Sequence, residues 1–339
     1  MYKEVEIARA LELSLPIVDV RSPIEYNRGH IPNAYNIPLF SDEERADVGT
    51  IYKQISQELA YNKAYAYVEP KLNWFLEKAE EISSKDGIII HCWRGGMRSK
   101  SFAKHLVDNG FTNVYLIIGG YKSFRNYTIE IFSLDYKVKL LGGFTGSGKT
   151  FILHELKALG QQVLDLEGLA SHKGSAFGSI GQKPQPTTEM FENLLCWELL
   201  KLNITNPVWI EDECHNIGKV VIPSSFYRKV HASKLYFIDI PKEERAKHLV
   251  KEYGCTNISD LYSAIQRISK RLGPQNTTIA LEAVDNGDLV LAAMVSLTYY
   301  DKAYLYDTND HVDKDLVKIK FDSVNHQENA QRLLDIIFE

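Results

Sequence analysis

The segment from Gly143 to Thr150, Gly-Phe-Thr-Gly-Ser-Gly-Lys-Thr, most constrains how this 339-residue chain can fold. It has the Gly-x4-Gly-Lys-Thr spacing of a phosphate-binding P-loop, which follows a buried strand and opens a helix. The apolar run Val138-Lys139-Leu140-Leu141 supplies the strand. We therefore predict an α/β domain with a parallel sheet, in which this loop binds a chain of phosphates.

The residues of the loop have separate predicted roles. Backbone N–H groups from Gly146 to Lys149 would wrap the phosphates, and the Lys149 ammonium would neutralise them. Phosphate binding does not imply ATP hydrolysis. The predicted phosphate-binding residues are Gly143, Gly146, Ser147, Gly148, Lys149 and Thr150.

Three consecutive acids, Glu211-Asp212-Glu213, end a later predicted strand. One of them would hold Mg²⁺ together with the Thr150 hydroxyl, and our candidate ligands are Thr150 and Asp212. A solvated strand end is the alternative interpretation of the three acids.

A second anion-binding loop, His-Cys-Trp-Arg-Gly-Gly-Met-Arg-Ser, runs from His91 to Ser99. Cys92 follows an apolar strand and precedes a predicted helix, whose N-terminus favours a thiolate. Arg94 and Arg98 would lower the thiol pKa further, so Cys92, Arg94 and Arg98 are the candidate catalytic residues. An inert buried cysteine is the alternative interpretation of Cys92.

Strands and helices alternate before and after a more polar segment, so the chain divides into two α/β domains. We predict a domain at residues 1–125, a linker at 126–136, and the P-loop domain at 137–339, which is mostly helical from about Lys242 to Tyr306. Four widely spaced cysteines predict neither a disulfide framework nor a zinc site. No apolar run is long enough to span a membrane, and we expect a reduced, cytoplasmic protein.

Two further polar groups are candidates for substrate binding. The segment 165–178 follows a strand beside the P-loop, and Arg267, Lys270 and Arg271 share one helical face. A plain surface loop and a solvated basic face are the alternatives. The net charge of −5 argues against a general nucleic-acid binder but leaves open RNA docking on a local basic patch. The candidate substrate-binding residues are Asp165, Glu167, His172, Lys173, Ser175, Arg267 and Arg271.

Residues 17–38, with Asp19-Val20-Arg21, and the later Gly119-Gly120-Tyr121 resemble the rhodanese family. This resemblance implies a parallel-sheet domain that carries sulfur as a persulfide on Cys92. The spacing Cys92-x5-Arg98-Ser99 also resembles cysteine phosphatases, whose longer loop fits a phosphate-sized anion. We expect Asp19 and Arg21 to form a structural pair, and His91 to support the loop from beneath.

The chain as a whole resembles the tRNA 2-selenouridine synthase family, in which a rhodanese domain is fused to a P-loop domain. The resemblance implies S-geranylation of wobble 2-thiouridine in tRNA by geranyl diphosphate, followed by selenium transfer from selenophosphate. A selenophosphate-producing enzyme is then a candidate donor partner, the P-loop residues hold a diphosphate, and no membrane is involved. The matching motifs lie at residues 43–50, 92–99, 119–122, 165–178, 185–186, 191–193, 211–213, 217–218, 267–273 and 299–301.

Which loop binds which donor stays a hypothesis at this point, as do the tRNA-binding surface, the metal requirement and the oligomeric state. A persulfide sulfurtransferase with an ATP-using P-loop domain is one alternative, and it predicts steady ATP turnover. A cysteine phosphatase is another, although the thiol loop offers it no candidate general acid.

Overall fold

The computed structural model of the protein describes residues 1–254, 257–309 and 315–338. Clustering of backbone contacts divides the chain into two compact units: unit 1 is Met1–Ile131 with Glu192–Trp197, and unit 2 is Phe132–Phe191 with Glu198–Glu339. Within the described ranges, none of the helices combines the length and the apolar character needed to cross a bilayer.

Unit 1 contains one sheet of five strands with helices between them. The strands are β1 (Lys3–Val5), β2 (Ile17–Asp19), β3 (Tyr35–Asn36), β4 (Asp86–His91) and β5 (Thr112–Ile117). The helices are α1 (Ile7–Glu12), α2 (Pro23–Arg28), α3 (Asp42–Gln54), α4 (Gln57–Val68), α5 (Leu72–Ser83), α6 (Met97–Asp108) and α7 (Gly120–Phe132), with a 3₁₀ turn at Glu69–Lys71.

The strands of unit 1 lie in the order β1-β5-β4-β2-β3 and pair in parallel throughout. Successive residues of β4 point to opposite faces of the sheet, and both faces are covered. Ile88 and Ile90 belong to one core cluster, and Ile89 belongs to another. This double burial explains why the strand that delivers the thiol loop is apolar at every one of these positions.

Unit 2 contains a second five-stranded sheet, a small hairpin and a helical C-terminal part. The strands are β6 (Val138–Gly143), β7 (Gln162–Leu164), β8 (Val208–Glu211), β9 (Asn216–Ile217), β10 (Val220–Val221), β11 (Lys234–Asp239) and β12 (Leu316–Lys320). The helices from α8 onward are α8 (Lys149–Ala158), α9 (Leu166–Ala170), α10 (Thr188–Leu199), α11 (Ser224–His231), α12 (Lys242–Tyr253), α13 (Ile258–Leu272), α14 (Pro274–Asp285), α15 (Leu289–Asn309) and α16 (His326–Phe338). The middle of α10, Glu192–Trp197, belongs to unit 1.

Strand β6 lies in the middle of the order β12-β11-β6-β8-β7, and all neighbours pair in parallel. The carboxyl ends of parallel strands meet at one edge of a sheet, where ligands bind in such folds. The backbone N–H of Asp212 donates to the carbonyl of Leu141 at 2.9 Å, so the acids after β8 lie beside the loop after β6.

The predicted fold class, a rhodanese-like parallel-sheet domain followed by a P-loop α/β domain with a helical C-terminal part, is confirmed. Helices α12 to α15 account for the predicted helical region, apart from residues 255–256, which lie outside the described residues. The proposed boundaries at 1–125, 126–136 and 137–339 stay a prediction. Helix α7 continues through the first part of the proposed linker, as far as Phe132.

Candidate functional site

The thiol loop connects the end of β4 to the start of α6 in unit 1. The backbone N–H of Tyr121 donates to the carbonyl of Cys92 at 2.8 Å, which fastens the loop to the first turn of α7. Gly95 has φ +66°, and a Cβ there would lie 2.8 Å from the Ile117 carbonyl. A Cβ on Gly120 would lie 2.3 Å from the Cys92 carbonyl. Both positions therefore require glycine.

The Cys92 thiol is buried, and its surroundings favour the thiolate. Burial alone raises the pKa of the thiol, but the Ser99 hydroxyl, the charge of Arg98, and the backbone N–H groups of Ser99 and Arg94 together lower it below its ordinary value. The Ser99 Oγ lies 3.1 Å from the Cys92 Sγ. A hydrogen bond to the charged form is one of the three ways to depress a pKa.

The two arginines of the loop differ in their surroundings. Arg98 donates to Glu25 at 2.7 Å, and Arg45 lies 3.5 Å from the same carboxylate. Burial of Glu25 raises its pKa, but the hydrogen bond and charge of Arg98 lower it below its ordinary value. Arg94 is exposed. Arg98 is therefore fixed beside the thiol, while the Arg94 side chain faces solvent.

A buried ion pair supports the loop from within unit 1. Arg21 donates to Asp19 at 2.6 Å and lies over the Tyr121 ring, 3.8 Å from its centroid. The expected structural pair is thus confirmed. His91 is also fully buried, with its Nε2 3.8 Å from the Asp19 carboxylate. Burial lowers the pKa of His91, so it supports the loop as a neutral ring.

The P-loop in unit 2 adopts the strand–turn–helix arrangement that its spacing predicts. Gly146 and Gly148 have φ of +83° and +72°, and helix α8 begins at Lys149. The Lys149 Nζ lies 3.1 Å from the Gly143 carbonyl and 3.3 Å from Glu211. Ser147 is buried, and its hydroxyl donates to the Phe144 carbonyl. The side chain of Ser147 therefore shapes the loop.

Three glutamates converge on Lys149 and Thr150. Carboxylate oxygens of Glu167, Glu211 and Glu213 all lie within 4.8 Å of one another. The Thr150 hydroxyl is 2.7 Å from Glu167 and 3.1 Å from Glu211. If all three carboxylates were ionised, their negative charge would exceed the positive charge of the single lysine.

Burial and mutual repulsion make it unfavourable for all three acids of this cluster to be ionised at once. Burial and the charge of Glu211 raise the pKa of Glu167 to about 10 and that of Glu213 to about 8. Burial likewise raises the pKa of Glu211. Such a set of close, hard oxygen donors fits a divalent cation, whose positive charge would favour the ionised forms of the acids.

A cavity of about 770 Å³ lies beside the P-loop. Its wall combines the loop with the acidic cluster and with most of the substrate-binding candidates. Lys173 pairs with Glu252, Arg267 donates to the Ala176 carbonyl at 3.0 Å, and Arg271 donates to the Tyr299 hydroxyl at 3.0 Å. The predicted residues that line it are Gly143, Gly146, Gly148, Lys149, Thr150, Glu167, Lys173, Ser175, Asp212, Arg267 and Arg271.

Two predicted substrate-binding residues lie outside the cavity wall, and one predicted metal ligand lies outside the cluster of glutamates. Asp165 accepts from the backbone N–H of Gly168 at the start of α9 and lies 3.1 Å from His154. His172 is buried beneath the segment, and neither residue lines the cavity. Asp212 lines the cavity but lies outside the cluster of three glutamates, and its carboxylate accepts from the Tyr304 hydroxyl at 2.7 Å. Asp212 and Thr150 as metal ligands therefore stay a prediction.

The structure also adds residues that the sequence analysis did not single out. Arg245 is buried, donates to the Thr145 carbonyl at 3.0 Å, and pairs with Asp301 at 2.9 Å, so it braces the P-loop. Tyr253 and Tyr300 line the cavity. The motif containing Tyr299-Tyr300-Asp301 was the available signal for Asp301 and Tyr300. Arg245 and Tyr253 lie in a helix with no comparable local pattern.

Comparisons with known proteins agree with this two-site description. The family model described as the tRNA 2-selenouridine synthase AAA domain matches residues 136–332, and the rhodanese-like domain model matches residues 4–127.

Three similar proteins are each named tRNA 2-selenouridine synthase. The protein from Nitrosomonas europaea is 39% identical over 272 residues, covering 78% of this chain and 69% of its own length. The protein from Hydrogenovibrio crunogenus is 35% identical over 308 residues, covering 83% and 82%. The protein from Shewanella frigidimarina is 32% identical over 349 residues, covering 91% and 93%.

Proposed function

The chain belongs to the tRNA 2-selenouridine synthase family, and on that premise we propose that it replaces the sulfur of wobble 2-thiouridine in tRNA by selenium. The replacement proceeds through S-geranylation with geranyl diphosphate and then selenation with selenophosphate. The P-loop holds the diphosphate and the thiol loop holds the selenophosphate. The observation that carries the proposal is the cavity beside the P-loop, whose wall bears Lys149, Lys173, Arg267 and Arg271.

In the first step, the sulfur of 2-thiouridine attacks C1 of the geranyl group. The C1–O bond breaks, the diphosphate leaves with the bonding electron pair, and the N3 proton of the base is released to solvent. Negative charge grows on the departing diphosphate, where Lys149 and the backbone N–H groups of Gly146 to Lys149 stabilise it. Arg267 and Arg271 line the same cavity and add positive charge.

A magnesium ion fits the oxygen set of Glu167, Glu211, Glu213 and the Thr150 hydroxyl, whose carboxylates exceed the available positive charge. When bound, it would neutralise part of the diphosphate charge.

In the second step, the selenium of selenophosphate attacks C2 of the base, and the C2–S bond breaks to release geranylthiolate. Water then cleaves the Se–P bond, so that phosphate leaves and selenium remains on C2. The loop around Cys92 offers backbone N–H groups, Arg98 and an exposed Arg94 to a phosphate-sized anion. The Cys92 thiolate lies at the base of that loop and directs the selenium.

Mass spectrometry of nucleosides from 2-thiouridine-containing tRNA tests the proposal. Geranyl diphosphate alone should give geranylated thiouridine, and added selenophosphate should then give selenouridine. A Cys92→Ala enzyme should keep geranylation and lose selenation, while the exposed Ser101→Ala control on α6 keeps both. Finding neither modified nucleoside with the unaltered enzyme would overturn the function. Loss of both steps in Cys92→Ala would overturn the division of donors between the loops.

A further inference from the structure

A second cavity, of about 70 Å³, lies among helices α12, α13, α14 and α15 of unit 2. Apart from the residues that it shares with the cavity beside the P-loop, its wall is almost wholly apolar and includes several small residues. Representative lining residues are Val250, Leu261, Ile265, Val284, Ala293 and Leu297.

The unshared part of the wall offers little to a water molecule. Ser296 is a polar residue in that part of the wall, and its hydroxyl donates to the Ala292 carbonyl of its own helix at 2.8 Å. An ordered water needs two to four polar partners, and cavities without them stay dry or take apolar ligands. The cavity is therefore suited to hydrocarbon.

The apolar cavity shares part of its wall with the cavity beside the P-loop. Thr145, Ser175, Leu249, Tyr253 and Tyr300 line both. Thr145 belongs to the P-loop itself, so the hydrocarbon space begins next to the residues that hold phosphates. A ligand with a phosphate head and an apolar tail would occupy both cavities at once.

We infer that the apolar cavity binds the distal isoprene unit of a prenyl diphosphate and selects a ten-carbon chain. This inference rests on the proposed function, which places the diphosphate head at the P-loop. The volume of about 70 Å³ is several times the minimum of about 10–15 Å³ that holds one water, so the cavity has room for a short hydrocarbon segment such as one isoprene unit. The proximal isoprene unit then lies against the residues that line both cavities.

Calorimetric titration with four probes tests the inference: inorganic diphosphate and the dimethylallyl, geranyl and farnesyl diphosphates. Geranyl diphosphate should bind at least about ten-fold more tightly than inorganic or dimethylallyl diphosphate, because only its chain reaches the apolar cavity. Farnesyl diphosphate should bind more weakly than geranyl diphosphate, because its third unit finds no room.

Two variants change the cavity in opposite directions. Ala293→Leu fills it, and should bring geranyl diphosphate to about the affinity of dimethylallyl diphosphate while leaving inorganic diphosphate binding unchanged. Leu261→Ala enlarges it and should shift the preference toward farnesyl diphosphate. Ala158→Leu makes the same alanine-to-leucine change at an exposed position of α8 and should alter none of the affinities.

Equal affinity for geranyl and inorganic diphosphate in the unaltered enzyme would overturn the inference, as would unchanged chain-length preference in both variants. The tRNA assay separates this result from the proposed function. Chain-selective binding without geranylated tRNA would contradict the transfer reaction and keep the cavity assignment. Geranylated tRNA without chain-selective binding would support the transfer reaction and contradict the cavity assignment.

Discussion

The thiol loop and the P-loop each lead into the start of a helix, where unpaired backbone N–H groups favour anions, but their charged side chains are arranged differently. At the thiol loop, the cation Arg98 is already paired with Glu25, and the Cys92 thiol has a lowered pKa. At the P-loop, Lys149 faces Glu167, Glu211 and Glu213. The cation of the first site has a carboxylate partner with a lowered pKa, whereas the three acids of the second site have raised pKa values and would ionise more readily beside a bound cation.

The largest expected effect is at the lysine of the P-loop. Lys149→Met should reduce the rate of geranyl transfer by about 10²–10³-fold, because it removes a positive group aimed at the leaving diphosphate. The rate of Cys92 alkylation should stay unchanged. Nucleoside mass spectrometry measures the geranyl transfer, and peptide mapping measures the alkylation of Cys92. Lys157→Ala, at an exposed position of the same helix, is the control, and equal losses in both variants would contradict the assignment.

The second largest expected effect is a loss of stability of unit 2 when divalent metal is removed. Millimolar Mg²⁺ should raise the free energy of unfolding by roughly 1–3 kcal/mol over that in EDTA, because an ion bound only to the folded state stabilises it. Glu213→Gln should abolish that increment, and the exposed Glu243→Gln should keep it. Thermal unfolding with and without Mg²⁺ gives the comparison. A full increment in Glu213→Gln would exclude the glutamate cluster as the ion site.

The pH dependence of Cys92 alkylation measures the pKa of the thiol, independently of the P-loop. The pKa of Cys92 is lowered, so the thiolate forms at lower pH than in a free cysteine and reacts there. Ser99→Ala removes a donor to the thiolate, which raises the pKa and should move the alkylation midpoint up by about one pH unit. Peptide mapping follows Cys92 alone, with Ser101→Ala as the control. A midpoint that stays in place would show that Ser99 does not set the pKa.

The smallest expected effect lies at the rim of the P-loop cavity. Arg271→Ala should weaken geranyl diphosphate binding by about two- to five-fold, because an exposed charge contributes little in water. Lys270→Ala removes the neighbouring charge, which does not line the cavity, and should have no effect. Titration calorimetry resolves this difference. Equal weakening in both variants would indicate a diffuse electrostatic effect.

Local patterns were enough to predict the two loops, because each depends on glycines, a strand and a helix that are adjacent in the sequence. The glutamate cluster depends on side-chain direction as well as on composition. Side chains alternate along an extended segment, so Glu211 and Glu213 point together while Asp212 points the other way, toward Tyr304. That alternation is visible in the sequence and groups the two glutamates on one side, while Asp212 as a metal ligand stays a prediction.

Other features depend on contacts distant in sequence. Arg245 and Asp301 form their ion pair across 56 positions of chain, and no local spacing marks it. The apolar cavity depends on how closely four helices pack, which is decided by side-chain shape at many positions at once. Helical periodicity therefore predicts the helices of this region, but it does not predict the space between them.

The glycine beneath the thiol loop has a consequence for protein engineering. Gly120 belongs to the first turn of α7, yet its missing Cβ leaves the room that the Cys92 carbonyl occupies. The loop and the turn are thus one structural unit made of two separate stretches of chain. A thiol loop grafted from this protein onto another scaffold would keep its shape only if the Gly119-Gly120-Tyr121 turn were moved with it.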